Sequence, residues 1–453
     1  MLFFATYVTC MTGFFTYIDP ILFDDSYYYF SLRSGFRGVS STESAAIGGA
    51  AHLVNFRGGD TVAANVLLAY YYNSDPRVEG QEIGGYSVAA SEHSTMTSWG
   101  PEAEYEAFKN MLLTWPTGPV ACVSDSYNIW KACGVLRTKN GVPVTAHEEG
   151  SEWDFDTEEW GTGWASPELK ALIMGRDAAT GGRLIVRPDS GHPETVDLRI
   201  LDILGDERSF GHTVNSKGFK VLPDQIRIIQ GDGIDYLSIK KILDYLAANG
   251  WCVHSSLSLS LSLSLVFYFS SRCKARVRCT RSRTPPSLPH THNTNFRSAE
   301  NINFGSGGGL LQKMNRDTQK CAFKCAAIIR EVDGADREDE VQKNPISGNG
   351  KKSKAGRLSV HRVKNLGPAA KAWLASAGDT PEEAALIAET KKACKIENGW
   401  VTFQKGYGAK LGEMGTDELV TVYENGMLVQ DYTLEEIRAR ADEWTVDFLA
   451  ASK

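Results

Sequence analysis

From Gly35 onward, short apolar runs that end in polar and glycine residues alternate with amphipathic stretches, and this alternation predicts βα organisation. Three runs have the continuous apolar character of strands buried on both faces: GPVACVSDSY (118–127), GRLIVRPDSG (182–191) and DQIRIIQGDGID (224–235). Around them the period lengthens to that of a helix in PEAEYEAFKNMLLTW (101–115), YLSIKKILDYLAANGW (236–251) and TLEEIRARADEWTVDFLAAS (433–452). The last of these opens with a Thr433-x-x-Glu436 capping box. STESAAIGGAAHLV (41–54) reads as a capped helix whose small residues allow close packing. In parallel α/β folds ligands bind beyond the carboxyl ends of the strands, so the polar residues that close each run are where chemistry is expected.

Two segments break this texture. Residues 137–166, with EEGSEWDFDTEEWGTGW, are acidic and aromatic and read as a surface loop or insertion. Residues 252–297 carry an alternating Ser–Leu run with the period of a half-buried strand, yet they hold seven basic residues, no acid and three of the nine cysteines. A CT dinucleotide repeat read in frame gives CTC and TCT codons, which are Leu and Ser. The segment is therefore expected to be a translated intron whose removal joins LAANGW to SAENINFGSGGGLLQK. Met1–Ile18 is apolar and uncharged, but it lacks a basic flank and a small-residue cleavage site, so a false or truncated start, or else a buried structural segment, is expected ahead of a signal peptide or a span.

With 453 residues, 42% hydrophobic and 23% charged, the chain has material for a large core, either one α/β barrel with added layers or roughly three average domains. A net charge of −7 gives no general attraction to nucleic acid, and anionic ligands must be held by local Arg, Lys and backbone N–H groups. Nine cysteines without paired CxxC spacing argue against a disulfide framework or a structural zinc site and for a reducing cytosol.

The chemistry gathers at the ends of the runs. NFGSGGGLLQK (303–313) packs glycines ahead of a helical pattern, which suits a phosphate cradle as well as a plain hinge. RPDSG and QGDGID place Arg187, Asp189 and Asp232 at two adjacent strand ends, where carboxylates accept sugar hydroxyls and Arg187 balances phosphate charge; a buried salt bridge is the simpler alternative. SVAASEHSTMTSWG (87–100) sets His93 next to Glu92, a carboxylate able to fix its tautomer and raise its nucleophilicity. FRGVSSTESAAIGGAAHLVNFRGGDT (36–61) contributes Arg37 and Asp60, the latter also readable as a turn residue after two glycines.

In this order RGVSS, AAHLVNF, SEHST, VSDSY, RPDSG, QGDG, FGSGGGLLQK and KKSKAGRLS resemble the nicotinamide phosphoribosyltransferases of the type II phosphoribosyltransferase family. The resemblance covers 35–134, 182–251 and 298 into the C-terminal region. It implies an α/β fold of the type II phosphoribosyltransferase barrel kind with an additional β-rich/α layer. The barrel is expected over 35–251 and 298–360, with 361–453 packing on it and 1–34 not matching the family. The implied activity joins nicotinamide to 5-phosphoribosyl 1-diphosphate, giving nicotinamide mononucleotide and diphosphate in NAD salvage. Mg²⁺ enters with the diphosphate, and ATP acts as coupled co-substrate through a phosphohistidine. A cytoplasmic homodimer with no nucleic-acid or membrane partner is expected.

The resemblance also implies roles. His93, Asp189 and Asp232 are catalytic, with His93 taking the phosphoryl group. Asp60 accepts the carboxamide NH₂ of nicotinamide and repels nicotinate, Arg37 lies beside the pyridine ring, and Ser87 and Asp125 line the substrate site. Arg187 joins Asp189 at the ribose and phosphate, Gly231, Gly307 and Gly308 cradle the ribosyl phosphate, and Arg316, Lys324, Lys343 and Lys351 serve phosphate, diphosphate and ATP groups. Two departures stand out. RSGFRG has Ser34 where the family carries an aromatic that stacks on nicotinamide, and Met1–Ser34 does not resemble the family's N-terminal region. An incomplete or catalytically impaired homologue that binds ligand without turnover, and a nicotinate phosphoribosyltransferase, are the competing expectations.

Overall fold

A computed structural model describes residues 31–33, 39, 41–53, 58–81, 83–139, 142–143, 158–231, 233–234, 236–252, 301–306, 324–347, 352–353, 355–368, 371–372, 395–397, 400–404 and 417–451. Among these the expected apolar runs are strands of a single parallel sheet. Its members are β1 (Ser31–Arg33), β2 (Ala89–Ala90), β3 (Pro119–Val123), β4 (Arg183–Arg187), β5 (Ile226–Gln230) and β6 (Ile302–Ser306), in the order β1-β6-β5-β4-β3-β2. Every neighbouring pair is parallel, with Val120 opposite Leu184, Val186 opposite Ile228 and Ile228 opposite Ile302. All five residues of β5 are buried, as are Val120–Val123 of β3. A parallel sheet is covered on both faces, which is why these strands carry unbroken apolar runs. Beyond β2, Gly58 bridges Tyr86 in parallel and continues that edge toward Asp60.

The first unit of the chain, 1–325 with 341–353, holds this sheet. Among its described residues the α-helices are α1 (Thr42–Leu53), α2 (Val62–Tyr72), α3 (His93–Thr97), α4 (Glu104–Thr114), α5 (Ile129–Cys133), α6 (Pro167–Met174), α7 (Pro193–Leu204) and α8 (Tyr236–Ala248). The small residues of α1 have a visible purpose: a Cβ on Gly49 would lie 2.6 Å from Cβ of Ala64 on α2, so only glycine allows this approach. Asn128 caps α5 by accepting from the backbone N–H groups of Trp130 and Lys131 at 3.1 Å.

The acidic and aromatic stretch departs from its expectation at both described ends. Val135–Lys139 pairs antiparallel with Glu158–Trp160, and Trp164 is fully buried, stacked on Phe108 with ring centroids 4.1 Å apart. Composition alone read this stretch as solvent-facing, but one large aromatic ring turned into the core contributes about 1.5–3 kcal/mol and fixes the end of the segment. Residues 144–157 lie outside the described set.

The Ser–Leu segment begins and ends at one point. Asn301 Nδ2 donates to the carbonyl of Cys252 at 2.8 Å and to that of Lys220 at 3.0 Å, while Asn301 Oδ1 accepts from Leu222 N at 2.8 Å. Residues 253–300 between these flanks, and Met1–Ile18, lie outside the described residues. No helix among the described residues is long and apolar enough to cross a membrane.

The second unit comprises 326–340 and 354–453. Ala327–Val332 pairs antiparallel with Ala335–Glu340 across Asp333-Gly334, both at positive φ, the two-residue turn that hairpin twist favours. Leu358–Arg362, Trp400–Gln404 and Lys395–Glu397 form a small antiparallel sheet. The helix α9 (Leu434–Ala451) opens with the expected box: Thr433 N donates to Glu436 Oε2 at 2.7 Å and Glu436 N to Thr433 Oγ1 at 3.3 Å.

Candidate active site

The carboxyl ends of four neighbouring strands, β2, β3, β4 and β5, bring expected residues to one rim. After β2, Glu92 is extended, and its side chain accepts from His93 N at 3.1 Å, so the short α3 starts at the histidine itself. His93 is 2% exposed. Its Nε2 lies 2.7 Å from Oδ1 of Asp125, which follows β3 and is 0% exposed. Asp125 Oδ2 accepts from Ser190 Oγ at 2.5 Å and from Lys343 Nζ at 3.1 Å. Asp189, after β4, places Oδ2 3.7 Å from His93 Nδ1 and 3.4 Å from Lys343 Nζ. Glu92 Oε1 is 3.3 Å from His93 Nδ1, and its Oε2 accepts from Arg187 at 3.2 Å.

A carboxylate can only accept, so the bond to Asp125 puts a proton on Nε2; Nδ1, which faces Glu92, carries the second proton when the ring is charged and is the nitrogen open to chemistry when the ring is neutral. Burial alone would lower the pKa of His93, but the hydrogen bonds to Asp125 and Glu92 outweigh it and raise the ring above its ordinary value. Burial likewise pushes Asp125 up, yet His93 and Lys343 together hold it well below the usual carboxylate range. Glu92 is held far down chiefly by its bond to His93, against burial and with help from Arg187.

One atom each of His93, Asp125 and Asp189 lie within 4.8 Å of one another, the spacing of a metal cluster. The donors do not fit a resident Mg²⁺. Both oxygens of Asp125 are engaged, one ligand is nitrogen, and the Lys343 ammonium stands between the carboxylates where a cation would sit.

Two further expected residues meet beside β2. Ser87 Oγ donates to Asp60 Oδ1, while Gly59 N donates to Tyr86 O at 2.8 Å and sets the turn that carries Asp60. Gly231 follows β5 with its N–H on Gln230 Oε1 at 2.9 Å, and a Cβ built on Gly305 would come within 3.4 Å of Gly231 Cα. The QGDG and FGSGGG turns therefore start side by side. Lys324 is exposed, and Cys325 next to it donates its backbone N–H to Ser94 Oγ at 3.1 Å. Ser34, Arg37, Asp232, Gly307, Gly308, Arg316 and Lys351 lie outside the described residues. Ser190 and Ser347, whose hydroxyls are 2.7 Å apart, were not singled out by sequence, although Ser190 stands inside RPDSG.

A profile of the nicotinate phosphoribosyltransferase (NAPRTase) family matches residues 33–148, 153–258 and 288–386, well over half of the chain. The chain belongs to the NAPRTase family. It is 36% identical over 410 residues to a nicotinamide phosphoribosyltransferase of Xanthomonas campestris pv. campestris (strain 8004), an alignment covering 90% of this chain and 61% of that protein. A nicotinamide phosphoribosyltransferase of Mycoplasma pneumoniae is 27% identical over 335 residues, covering 71% of this chain and 52% of its own length. The chain thus spans between half and two thirds of the length of these relatives. Among solved structures, the nicotinate-nucleotide pyrophosphorylase from Pyrococcus furiosus aligns with 98% of this chain and 69% of its own at 13% identity and a TM-score of 0.29, too weak a likeness to bear on the fold. The NAPRTase profile passes over residues 259–287, which fall within the Ser–Leu segment.

Proposed function

We propose that the chain is a nicotinamide phosphoribosyltransferase that forms nicotinamide mononucleotide and diphosphate from nicotinamide and 5-phosphoribosyl 1-diphosphate, coupled to ATP through His93. The observation that carries this reading is the buried His93 whose Nε2 is fixed by Asp125, in a chain 36% identical to a protein of that name. In the neutral ring Nδ1 holds the lone pair that attacks the γ-phosphorus of ATP. The bond to the bridging oxygen breaks, ADP leaves, and water later removes the phosphoryl group as phosphate.

In the transfer itself the bond from the anomeric carbon to diphosphate breaks with its electron pair, and the pyridine nitrogen of nicotinamide forms the new bond. The chain's work is positioning and charge stabilisation. Arg187 and Asp189 at the end of β4 suit the ribose and phosphate, and Gly231, its N–H bonded to Gln230 Oε1, brings its backbone close beside the start of the FGSGGG turn. By resemblance, Asp232, Gly307, Gly308, Arg316, Lys324 and Lys351 complete the phosphate and diphosphate contacts, and Arg37 adjoins the pyridine ring. Mg²⁺ would offset the charge of the diphosphate, and Asp125 and Asp189, already paired with Lys343, would not be its ligands. The Asp60 carboxylate, oriented by Ser87, accepts from a carboxamide and repels a carboxylate, which favours nicotinamide over nicotinate. We place the enzyme in the cytoplasm as a homodimer.

A second reading, an impaired homologue that binds ligand without turnover, rests on Ser34 in place of a stacking aromatic and on the chain's partial span of its relatives. Purified chain given 5-phosphoribosyl 1-diphosphate, Mg²⁺ and ATP with either base, and read by mass spectrometry, separates the readings. Nicotinamide mononucleotide as the favoured product supports the proposal. Preference for nicotinate, or binding of nicotinamide mononucleotide with no product from either base, overturns it.

A further inference from the structure

Lys343 reaches the site from a short segment that runs back along the rim. Asn344 N donates to Ser126 O at 2.9 Å, Ile346 N to Tyr127 O at 2.8 Å, and Lys343 exchanges its backbone N–H and C=O with Ser353 at 2.8 and 2.9 Å. These bonds leave the backbone little freedom, and the side chain is 5% exposed. Its ammonium lies 3.1 Å from Asp125 Oδ2 and 3.4 Å from Asp189 Oδ2. Asp125 holds Nε2 of His93 at 2.7 Å, and Asp189 faces Nδ1 at 3.7 Å. The four side chains form a closed circuit in which Lys343 joins the acids on the two sides of the imidazole.

We infer that Lys343 is a positioning residue for His93, its ammonium spanning Asp125 and Asp189 and fixing both carboxylates about the ring, rather than a ligand for phosphate. The inference rests on the proposed role of His93. A phosphate group could take this ammonium only by breaking its ion pairs with Asp189 and with Asp125, and the fully buried Asp125 has no water to replace it. The surroundings of the ring explain why a cation is needed. Glu92, Asp125 and Asp189 all approach the imidazole, Glu104 on α4 acts on Asp125 from further out, and among the described residues Arg187 pairs with Glu92 and Lys343 with both Asp125 and Asp189. Without Lys343 the Asp125 and Asp189 carboxylates about the ring lose this shared cation, and the ring is held as a cation, with no lone pair on Nδ1, to a still higher pH.

The test uses full-length protein with Lys343→Met and Lys343→Arg. Nitrogen-15 NMR of the imidazoles follows the titration of His93, whose signals are identified by their loss in His93→Asn. The expected result is a midpoint raised by about one pH unit in Lys343→Met and restored by Lys343→Arg. In steady-state kinetics kcat falls about tenfold or more near neutral pH, while KM for ATP and for 5-phosphoribosyl 1-diphosphate stays within about twofold. An unmoved midpoint overturns the inference, and so does a KM raised about tenfold with kcat preserved, the signature of a phosphate ligand. Lys343→Gln keeps a donor without the charge and gives the same reading if Lys343→Met does not fold. The NMR midpoint needs no turnover, so a chain without transferase activity fails the functional proposal while still deciding the role of Lys343.

Discussion

Asp125→Asn is the sharpest perturbation of the site, because the carboxylate is fully buried and takes three donors at once: His93 at 2.7 Å, Ser190 at 2.5 Å and Lys343 at 3.1 Å. The amide cannot match them, since one of its two ends donates. Removing one partner of a buried ion pair costs about 3–5 kcal/mol, and the remaining Asp189 at 3.4 Å from Lys343 offsets part of it, so a loss of about 3 kcal/mol is expected. At about 2.1 cal/mol/K of unfolding entropy per residue, a unit of this size shifts by roughly 1–1.4 °C per kcal/mol, so the thermal midpoint falls by about 3–4 °C at pH 7.

The pH dependence has a definite sign. Asp125 is depressed in the folded state, so its stabilisation is present above the unfolded value near 4 and fades as pH falls toward the folded value. His93 is raised, so its share is complete below about 6.5 and fades as pH rises through the folded value. The melting curves of wild type and variant should therefore converge in acid. Turnover should drop far more than stability implies, on the scale of the roughly ten-thousandfold loss when the acid that orients a catalytic histidine is made neutral. A double-mutant cycle with Lys343→Met should show a coupling of about 1–3 kcal/mol. Equal midpoints at pH 7 together with turnover within about fivefold of wild type would refute the reasoning.

Deleting residues 253–297 leaves Ser298–Glu300 to connect Cys252 to Asn301, already bonded at 2.8 Å; a connection about sixteenfold shorter gains about 2 kcal/mol of closure entropy, so the melting temperature should hold or rise, and loss of folding would contradict the reading of that segment as dispensable. Glu104 is buried with Oε1 lacking a partner, and burial pushes its pKa up to about 8, so its folded state costs stability as pH rises from about 4.5 toward 8. Glu104→Gln should stabilise the protein by about 3 kcal/mol at pH 7 and by little at pH 4, and unfolding in denaturant at the two values checks this. Asp60→Asn removes the repulsion of a carboxylate and should lower the nicotinamide-to-nicotinate ratio of kcat/KM by about tenfold or more, with Ser87→Ala moving it the same way by less; product analysis with both bases present decides it.

The strands and their ends were legible because parallel strands buried on both faces leave unbroken apolar runs, and each run is followed by a residue expected at the site: Asp125 after β3, Asp189 after β4, Gly231 after β5. The cap at Thr433 was equally legible, since its signal is local. The wiring between ends was not. No spacing tells that Asp125 is turned onto His93, that Ser190 supports it across 65 positions, or that Lys343 reaches both acids from more than 150 residues downstream of Asp189. Composition misled at Trp164, where one ring decided what the surrounding acids could not.

The most direct measurement is incubation of the purified chain with ATP labelled at the γ-phosphate, followed by mapping of the label. The account predicts an acid-labile phosphoryl group on Nδ1 of His93, absent from His93→Asn, and turnover of nicotinamide that ATP stimulates. No label on wild type, or a label that persists in His93→Asn, would contradict it.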